Sequence, residues 1–296
     1  MQVLLTGATG FIGSAILSEL VGAGHRVLCL VRSEEGAKFV SDAGGKAHHG
    51  DLDDLESLRR GASIADAVVH AAFDHDFTNM AASSERDRAA IEAIGEALAG
   101  TTKRFVVTSG LPPLFGQIAT EDDVIPADGH GMPRKSEQAT DALIGRGVQA
   151  VIIRMSQCHD ERKQGFATYL LAHAQSKGRS AYVADGANRW PAVHRLDAAR
   201  LYRLALEHGV SGQRYHAISE SGVTVRDVAE AIGLRLDLPI VQLEPEVSGE
   251  HFGWLDRIAK MDVPASSALT QERLGWTPSE PAGIIADLEQ SELVAP

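Results

Sequence analysis

The first thirteen residues constrain the fold of this chain more than any other segment. Residues 1–5 form a short apolar stretch that predicts a strand, and it leads directly into Thr6-Gly7-Ala8-Thr9-Gly10-Phe11-Ile12-Gly13 and then a helical pattern. In such a unit the first glycine permits a tight turn, the second lets a pyrophosphate approach the backbone, and the third lets the helix pack closely. The free N–H groups of the helix N-terminus favour the phosphates. The turn therefore predicts a dinucleotide site held by Gly7, Thr9, Gly10, Phe11, Ile12 and Gly13.

The end of the second predicted strand, residues 26–31, indicates which dinucleotide binds. NAD sites usually carry Asp or Glu there to bond the ribose 2′-hydroxyl, but this chain has Arg32 and Ser33. A guanidinium pairs with a 2′-phosphate through charge-assisted hydrogen bonds, and Ser33 offers a further donor. Glu34 and Glu35 follow closely and weaken the electrostatic argument, and a solvated loop cation is the alternative interpretation of Arg32. We expect NADP rather than NAD.

Composition limits the partners of the chain. With 28 basic and 40 acidic residues among 296, the net charge is −12, which opposes binding to nucleic acid or to an anionic membrane. No run of eighteen apolar residues occurs, and the N-terminus is already strand and turn, so we expect no signal peptide and no membrane span. The two cysteines fall in or beside predicted core strands and are expected to be reduced. We expect a cytoplasmic protein that acts on a small molecule.

Apolar runs alternate with helical patterns through residue 154. Strands are predicted at 2–5, 26–31, 46–49, 67–72, 104–109 and 149–154, with helices at 12–22, 34–42, 53–60, 79–99 and 135–146. This alternation predicts an α/β fold with a doubly wound parallel sheet. Later segments are less regular, with helices expected at 163–176, 197–208, 224–234 and 282–292 and short strands at 181–184, 214–218 and 239–242. We expect a nucleotide-binding domain, residues 1–154, with elements returning to it from about 186–218. A smaller mixed lobe, residues 155–296, is expected to bind substrate.

Seven short motifs, spread over nearly the whole chain, form one pattern. They occupy residues 6–13, 50–52, 70–72, 107–109, 153–154, 193–197 and 274–278. Together they resemble the extended short-chain dehydrogenase/reductase superfamily, in its NAD-dependent epimerase/dehydratase-like form. The resemblance implies a Rossmann-type fold and a nicotinamide dinucleotide. It also implies that Asp51 and Leu52 contact the adenine, that Ala71, Ala72 and Phe73 lie along the pyrophosphate and ribose, and that Thr108 and Ser109 lie near the nicotinamide.

The chain departs from the resemblance at the residues that move protons. Active members of that superfamily use a tyrosine with a lysine four residues later, and the lysine lowers the tyrosine pKa. Alignment on Lys135 places Gly131 at the tyrosine position, whereas alignment on Glu137 and Arg154 places Gly129 there and Pro133 at the lysine. Neither alignment supplies the pair. The sequence therefore looks like an atypical member that keeps the cofactor site and lacks the usual acid–base group.

Three residues are candidates to replace the missing pair. Ser109 ends a strand at the edge where such folds bind ligands, Lys135 is in reach of the nicotinamide ribose, and His130 lies beside the vacated tyrosine position. A cofactor contact for Ser109 and solvated surface roles for Lys135 and His130 are the alternatives. His75 with Asp76, and His159 with Asp160, are weaker candidates for ligand contact. The histidine and cysteine spacing matches no metal motif, so no metal is predicted.

These residues favour an NADP(H)-dependent oxidoreductase that reduces a carbonyl group on a small, fairly apolar molecule. A non-catalytic NADP-binding sensor is the alternative from another class, since loss of the Tyr–Lys pair is what such a protein shows. An epimerase or dehydratase that uses its cofactor transiently is a third. The small and apolar residues on helix 79–99 also predict a homodimer, because related extended proteins often pair through this helix and the next.

Overall fold

The strands of the computed structural model, which describes residues 1–76, 79–112, 114, 116–124 and 134–291, form three sheets. In chain order they are β1 (Gln2–Thr6), β2 (Arg26–Val31), β3 (Lys46–His49), β4 (Ala67–His70), β5 (Arg104–Gly110), β6 (Gln149–Met155), β7 (Gln157–Asp160), β8 (Lys163–Gln164), β9 (Ser180–Val183), β10 (Arg189–His194), β11 (Arg214–Ala217), β12 (Glu220–Thr224) and β13 (Ile240–Leu243).

The helices cover both faces of the largest sheet and fill the C-terminal lobe. They are α1 (Phe11–Gly22), α2 (Glu34–Asp42), α3 (Leu55–Ile64), α4 (Met80–Leu98), α5 (Ser136–Gly145), α6 (Phe166–Lys177), α7 (Arg195–His208), α8 (Val225–Leu236), α9 (Ser248–Phe252), α10 (Asp256–Ala259), α11 (Ala268–Leu274) and α12 (Ile284–Gln290). No helix in the described ranges combines the length and the apolar character needed to cross a bilayer.

The central sheet has seven parallel strands in the order β11-β6-β5-β4-β1-β2-β3. The chain runs outward from β1 in one direction through β3 and then in the other from β4, so the strand order reverses between β1 and β4. In open α/β sheets ligands bind in the crevice at the carboxyl ends of the strands where the order reverses. The predicted doubly wound parallel fold is confirmed, and it places the glycine turn at this crevice.

Alternate residues of each central strand enter two separate apolar cores. Val3 and Leu5 pack with α1 and α7 on one face, whereas Leu4 packs with α3 and α4 on the other. All three side chains have no exposed surface. Because both faces of a parallel sheet are covered, its strands are continuous apolar runs, as the sequence shows.

The C-terminal half contributes to both parts of the molecule. A four-stranded sheet, β12-β10-β7-β8, and a two-stranded sheet, β13-β9, pack with α6, α8 and α12 around a third apolar core that includes Trp190 and Phe252. However, α7 packs on α1, and β11 pairs with β6 at the edge of the central sheet. The division into domains at residue 154 stays a prediction.

The elements agree with the predictions best in the first 154 residues. There the largest difference is that α3 spans Leu55–Ile64 rather than residues 53–60, and β4 ends at His70 rather than at residue 72. In the later half the structure adds four strands, β7, β8, β10 and β12, and three helices, α9, α10 and α11, that were not predicted. It starts α6 at Phe166 because residues 163–164 pair with β7 instead of joining the helix. Both cysteines are free, as predicted, and burial raises the pKa of each thiol to about 12.

Candidate functional site

The glycine turn is a close-packed cradle at the start of α1. Gly7 has a φ of +78°, and a Cβ there would lie 2.8 Å from the backbone nitrogen of Ala72. A Cβ on Gly13 would lie 1.8 Å from the Gly7 carbonyl oxygen, so only glycine allows the helix to start there. A Cβ on Gly10 would meet only that same oxygen, at 3.2 Å, which leaves its other sides open. The first-turn amides, Phe11 to Gly13, have no acceptor within the helix, and together with the open backbone they fit a bound pyrophosphate.

A cavity of about 540 Å³ adjoins this turn and is lined partly by basic side chains from the C-terminal half. Arg162 and Lys163 come from the β7–β8 hairpin, and Arg195 begins α7. Arg195 pairs with Asp160 at 2.7 Å and lies over the Phe11 ring, 5.4 Å from its centroid. Three cations therefore line this cavity in a protein with a net charge of −12.

The end of β2 lies beside the glycine turn. Ser33 caps α2, since its Oγ accepts the Gly36 N–H at 3.1 Å. A Cβ on Gly36 would lie 3.5 Å from both Ser33 Oγ and Thr9 Cγ2, so these residues form one small group. The neighbouring Arg32 is exposed. The hydroxyl hydrogen of Ser33 can still be donated, because its oxygen is the acceptor for Gly36.

The residues expected to line the rest of the cofactor have defined partners. One carboxylate oxygen of Asp51 accepts the N–H groups of Asp53 and Asp54 at 2.8 Å each, which fixes the turn after β3. Leu52 packs on the second apolar core. The Ala72 N–H donates to Thr6 Oγ1 at 3.2 Å, which holds the segment after β4, including Ala71, against β1. Their roles in binding a cofactor stay predictions.

A buried hydrogen-bond network begins below that segment. Thr6 donates to Nδ1 of His70 at 2.9 Å, and Nε2 of His70 donates to Asp87 at 3.2 Å. The other Asp87 oxygen accepts from Ser136 at 2.5 Å. Burial alone would raise the pKa of Asp87, but the His70 hydrogen bond and the charge of Arg134 hold it below its usual value. Asp87 is therefore a buried anion that organises the ends of β4 and α5.

Arg134 joins this network from just before α5. Its Nε donates to Ser136 Oγ at 2.8 Å, and its Nη2 donates to the Thr108 carbonyl at 3.0 Å. The guanidinium also lies over the Phe73 ring, 4.2 Å from the centroid. Thr108 in turn donates to the His70 carbonyl and accepts from Tyr202, each at 2.7 Å. Sequence reasoning did not single out Arg134, although it contacts two residues predicted to line the cofactor.

The two candidate catalytic residues that the structure describes, Ser109 and Lys135, have separate contacts. Ser109 is buried and pairs in register with Arg154 of β6. The Lys135 side chain is half exposed, and its ammonium contacts Glu85 of α4 at 2.8 Å. His130 lies outside the described residues, as do Gly129, Gly131 and Pro133. Within the described part of the chain the structure thus directs Lys135 toward α4 rather than toward Ser109, and its role stays a prediction.

The weaker histidine candidates differ in their surroundings. His159 is fully buried, and its Nδ1 bonds Asp287 of α12 at 2.6 Å, so it ties α12 to β7 and is not accessible to a ligand. Burial lowers the pKa of His75, and the charges of Arg134 and Lys163 lower it further. His75 therefore lies near the two cations Arg134 and Lys163. In the described ranges no three histidine, cysteine or carboxylate side chains are placed to hold a metal ion.

Comparison with known proteins agrees with this geometry. The sequence profile of a family described as NAD(P)H-binding matches residues 7–188. Uncharacterized protein C2A9.02 of Schizosaccharomyces pombe is 43% identical over 94% of this chain and 95% of its own length. A 4-hydroxy-2-methyl-3-oxo-4-farnesyl-3,4-dihydroquinoline-1-oxide ketoreductase of Stigmatella aurantiaca is 25% identical over 90% of this chain and 84% of its own.

Solved structures share the whole fold. The dTDP-glucose 4,6-dehydratase DesIV from Streptomyces venezuelae, solved with NAD bound, superposes with a TM-score of 0.76 over 98% of this chain and 96% of its own. At 20% identity this likeness concerns the fold alone. It extends over both the central sheet and the C-terminal lobe.

Proposed function

Because this chain belongs to the NAD(P)H-binding family of the short-chain dehydrogenase/reductase superfamily, we propose that it is an NADP(H)-dependent oxidoreductase that reduces a carbonyl group on a small, fairly apolar molecule. The observation that carries the proposal is the group formed by Ser33, Gly36 and Thr9 beside the glycine cradle, with the exposed Arg32 directly before Ser33 in the chain. The relative named as a ketoreductase supports the reaction class.

The chain's own residues account for cofactor binding. The open face of Gly10 leaves room for the pyrophosphate, the first-turn amides of α1 donate hydrogen bonds to it, and Arg32 pairs with the 2′-phosphate. Lys163 and Arg162 add positive charge from the C-terminal lobe. A bound NADPH supplies the hydride, and with one proton this converts a carbonyl to an alcohol. The protein has to hold the substrate at the crevice and deliver that proton.

The proton source is the step on which this chain differs from typical members. Tyr202 is the tyrosine that contacts the network, but it is fully buried behind Thr108, and burial raises its pKa far above 10. It is therefore a structural donor rather than an acid. Ser109 and His130 remain the proposed sources of a polarising hydroxyl and of the proton. Consumption of NADPH with a panel of aldehydes and ketones tests turnover directly.

A non-catalytic NADP-binding sensor is the second candidate. The observation that favours it is the missing Tyr–Lys pair, together with the Lys135 ammonium on Glu85. Such a protein binds NADPH as tightly as the proposed reductase but leaves every carbonyl in the panel unchanged. Cofactor retained through purification would instead favour an epimerase or dehydratase. A cytoplasmic location and a homodimer through α4 and α5 belong to the proposal as well, and sedimentation tests the dimer.

We expect Arg32→Ala to weaken NADPH binding by about 10- to 100-fold while changing NADH binding less than about threefold. A hydrogen bond to a charged group contributes about 1.5–3 kcal/mol, and only NADPH carries the 2′-phosphate. Calorimetric titration with both cofactors measures the two effects. Arg26→Ala is the matched control, because Arg26 is also exposed but begins β2 at the opposite end of the sheet. Equal losses for the two cofactors in Arg32→Ala would refute the NADP assignment.

A further inference from the structure

Arg134 is a fixed cation at the carboxyl ends of β4 and β5. Two of its three nitrogens donate to Ser136 and to the Thr108 carbonyl, and its planar face lies on Phe73. The third, Nη1, donates to no described residue, and 15% of the side chain remains exposed. A guanidinium held through two nitrogens and one face keeps a single orientation. A ligand that binds Nη1 therefore orders the side chain at little cost in conformational entropy.

The carboxylates close to Arg134 have other partners in the protein. Asp87 lies on the inner side, 4.0 Å from Nε of Arg134, and is already bonded by His70 and Ser136. Asp74 pairs with Arg86 at 2.5 Å. Lys163 is near enough to lower the pKa of His75, as Arg134 does. The Asp87 and Asp74 carboxylates thus already have partners within the protein, whereas Nη1 of Arg134 donates to no described residue and Lys163 lines the cavity beside the glycine turn.

We propose that Nη1 of Arg134 binds a carboxylate of the substrate, so that the substrate is an oxo acid with an apolar body. The inference rests on the proposed function and narrows its substrate class. Guanidinium–carboxylate pairs are charge-assisted and directional, and they are stronger in a partly buried site than at the surface. The ring of Phe73 supplies an apolar surface next to the charge. A guanidinium does not release a proton at neutral pH, so Arg134 is a substrate-binding residue and the proton comes from another group.

The test is a binding measurement on the full chain saturated with NADP⁺. Benzoate and benzamide have the same ring and nearly the same shape, but only benzoate carries a charge. We expect calorimetric titration to show benzoate binding at least about tenfold more tightly than benzamide, since charge-assisted hydrogen bonds are about twice as strong as neutral ones. Arg134→Gln should reduce that ratio to about one in a variant that still binds NADP⁺.

Two further variants keep the outcome interpretable. Arg134→Lys retains the charge but loses the planar fork, so we expect it to keep a reduced preference for benzoate even if Arg134→Gln folds poorly. Arg88→Gln removes a cation from α4 whose partners are Glu85 and Glu92, and the preference should stay unchanged. Equal binding of benzoate and benzamide to the wild-type complex would overturn this inference alone. An undiminished preference in folded Arg134→Gln would do the same, whereas failure of the wild type to bind NADP⁺ would overturn the proposed function and this inference with it.

Discussion

Gly13→Ala is expected to remove measurable NADPH binding, which corresponds to a loss of more than about 100-fold in affinity. The added methyl carbon would lie 1.8 Å from the Gly7 carbonyl oxygen and 3.1 Å from the backbone nitrogen of Ala8. Both contacts are with backbone atoms, so α1 and the turn have to separate. The amides proposed to donate hydrogen bonds to the pyrophosphate then move with them. Overpacking of this kind typically costs about 1–3 kcal/mol of stability. Titration with NADPH and thermal unfolding measure the two effects separately.

Gly22→Ala is the control for that variant. Gly22 lies in the last turn of the same helix, and nothing lies within 4 Å of a Cβ built there. Alanine at such a position in a helix is expected to stabilise the protein by about 0.5–1 kcal/mol and to leave NADPH affinity unchanged. Tight NADPH binding by Gly13→Ala would show that the cradle does not need its third glycine, and the proposed pyrophosphate site would then be wrong.

Arg154→Leu is expected to lower the free energy of unfolding by about 3–5 kcal/mol. Arg154 is fully buried and holds Glu137 through two hydrogen bonds of 2.7 and 2.9 Å, and its Nη2 also donates to the Asp123 carbonyl. Burial lowers the pKa of the neighbouring His216 to about 4, so the imidazole is neutral and its Nε2 accepts from Arg154 at 3.3 Å. Removing the cation leaves a buried carboxylate whose remaining ion pair among the described residues is with Arg214, and breaking such a pair from one side is costly.

Urea denaturation of Arg154→Leu and Arg88→Leu measures the difference. Arg88 pairs with Glu85 and Glu92 on the surface of α4, and exposed pairs of this kind contribute at most about 1 kcal/mol. If Arg154→Leu lowers the free energy of unfolding by as little as Arg88→Leu, the attraction within the buried Arg154–Glu137 pair only offsets the cost of desolvating the two charges. Glu137 and Arg154 are also the two residues used in the alignment that places Gly129 at the tyrosine position and Pro133 at the lysine position.

The strands and helices of the central sheet were predictable because each is determined by residues within its own segment. Strands buried on both faces are short apolar runs, and the helices between them have recognisable starts, such as Ser33 before α2 and Asp54 before α3, whose side chains accept N–H groups of the first turn. The C-terminal lobe has no such regularity. Strands β7 and β10 contain His159, Asp160 and Arg189, and their pairing depends on contacts between distant segments. Periodicity cannot reveal those contacts.

The candidate site shows the same division between local and distant causes. The glycine spacing identified the cradle because each glycine has a steric reason that the motif itself encodes. The sequence did not indicate which of the two adjacent cations, Arg134 or Lys135, contacts the residues predicted to line the cofactor. The packing of α4 decides which one faces inward. The backbone amide of Lys135 donates to Ser84 and its ammonium to Glu85, both in α4. Arg134 instead contacts Thr108 and Phe73. His159 was misread in the same way, because Asp287, its partner, is 128 residues away.

The late return of α7 and β11 to the central sheet determines the order in which a nascent chain acquires structure. Synthesis delivers β1 to β6 first, but the apolar face stays uncovered until α7 has been made, and the edge of β6 stays unpaired until β11 has been made. An unpaired strand edge and uncovered apolar surface are the features that lead unfinished chains to aggregate or to bind chaperones. The central sheet is therefore complete only after the ribosome has passed from the end of β6 at Met155 to the end of β11 at Ala217.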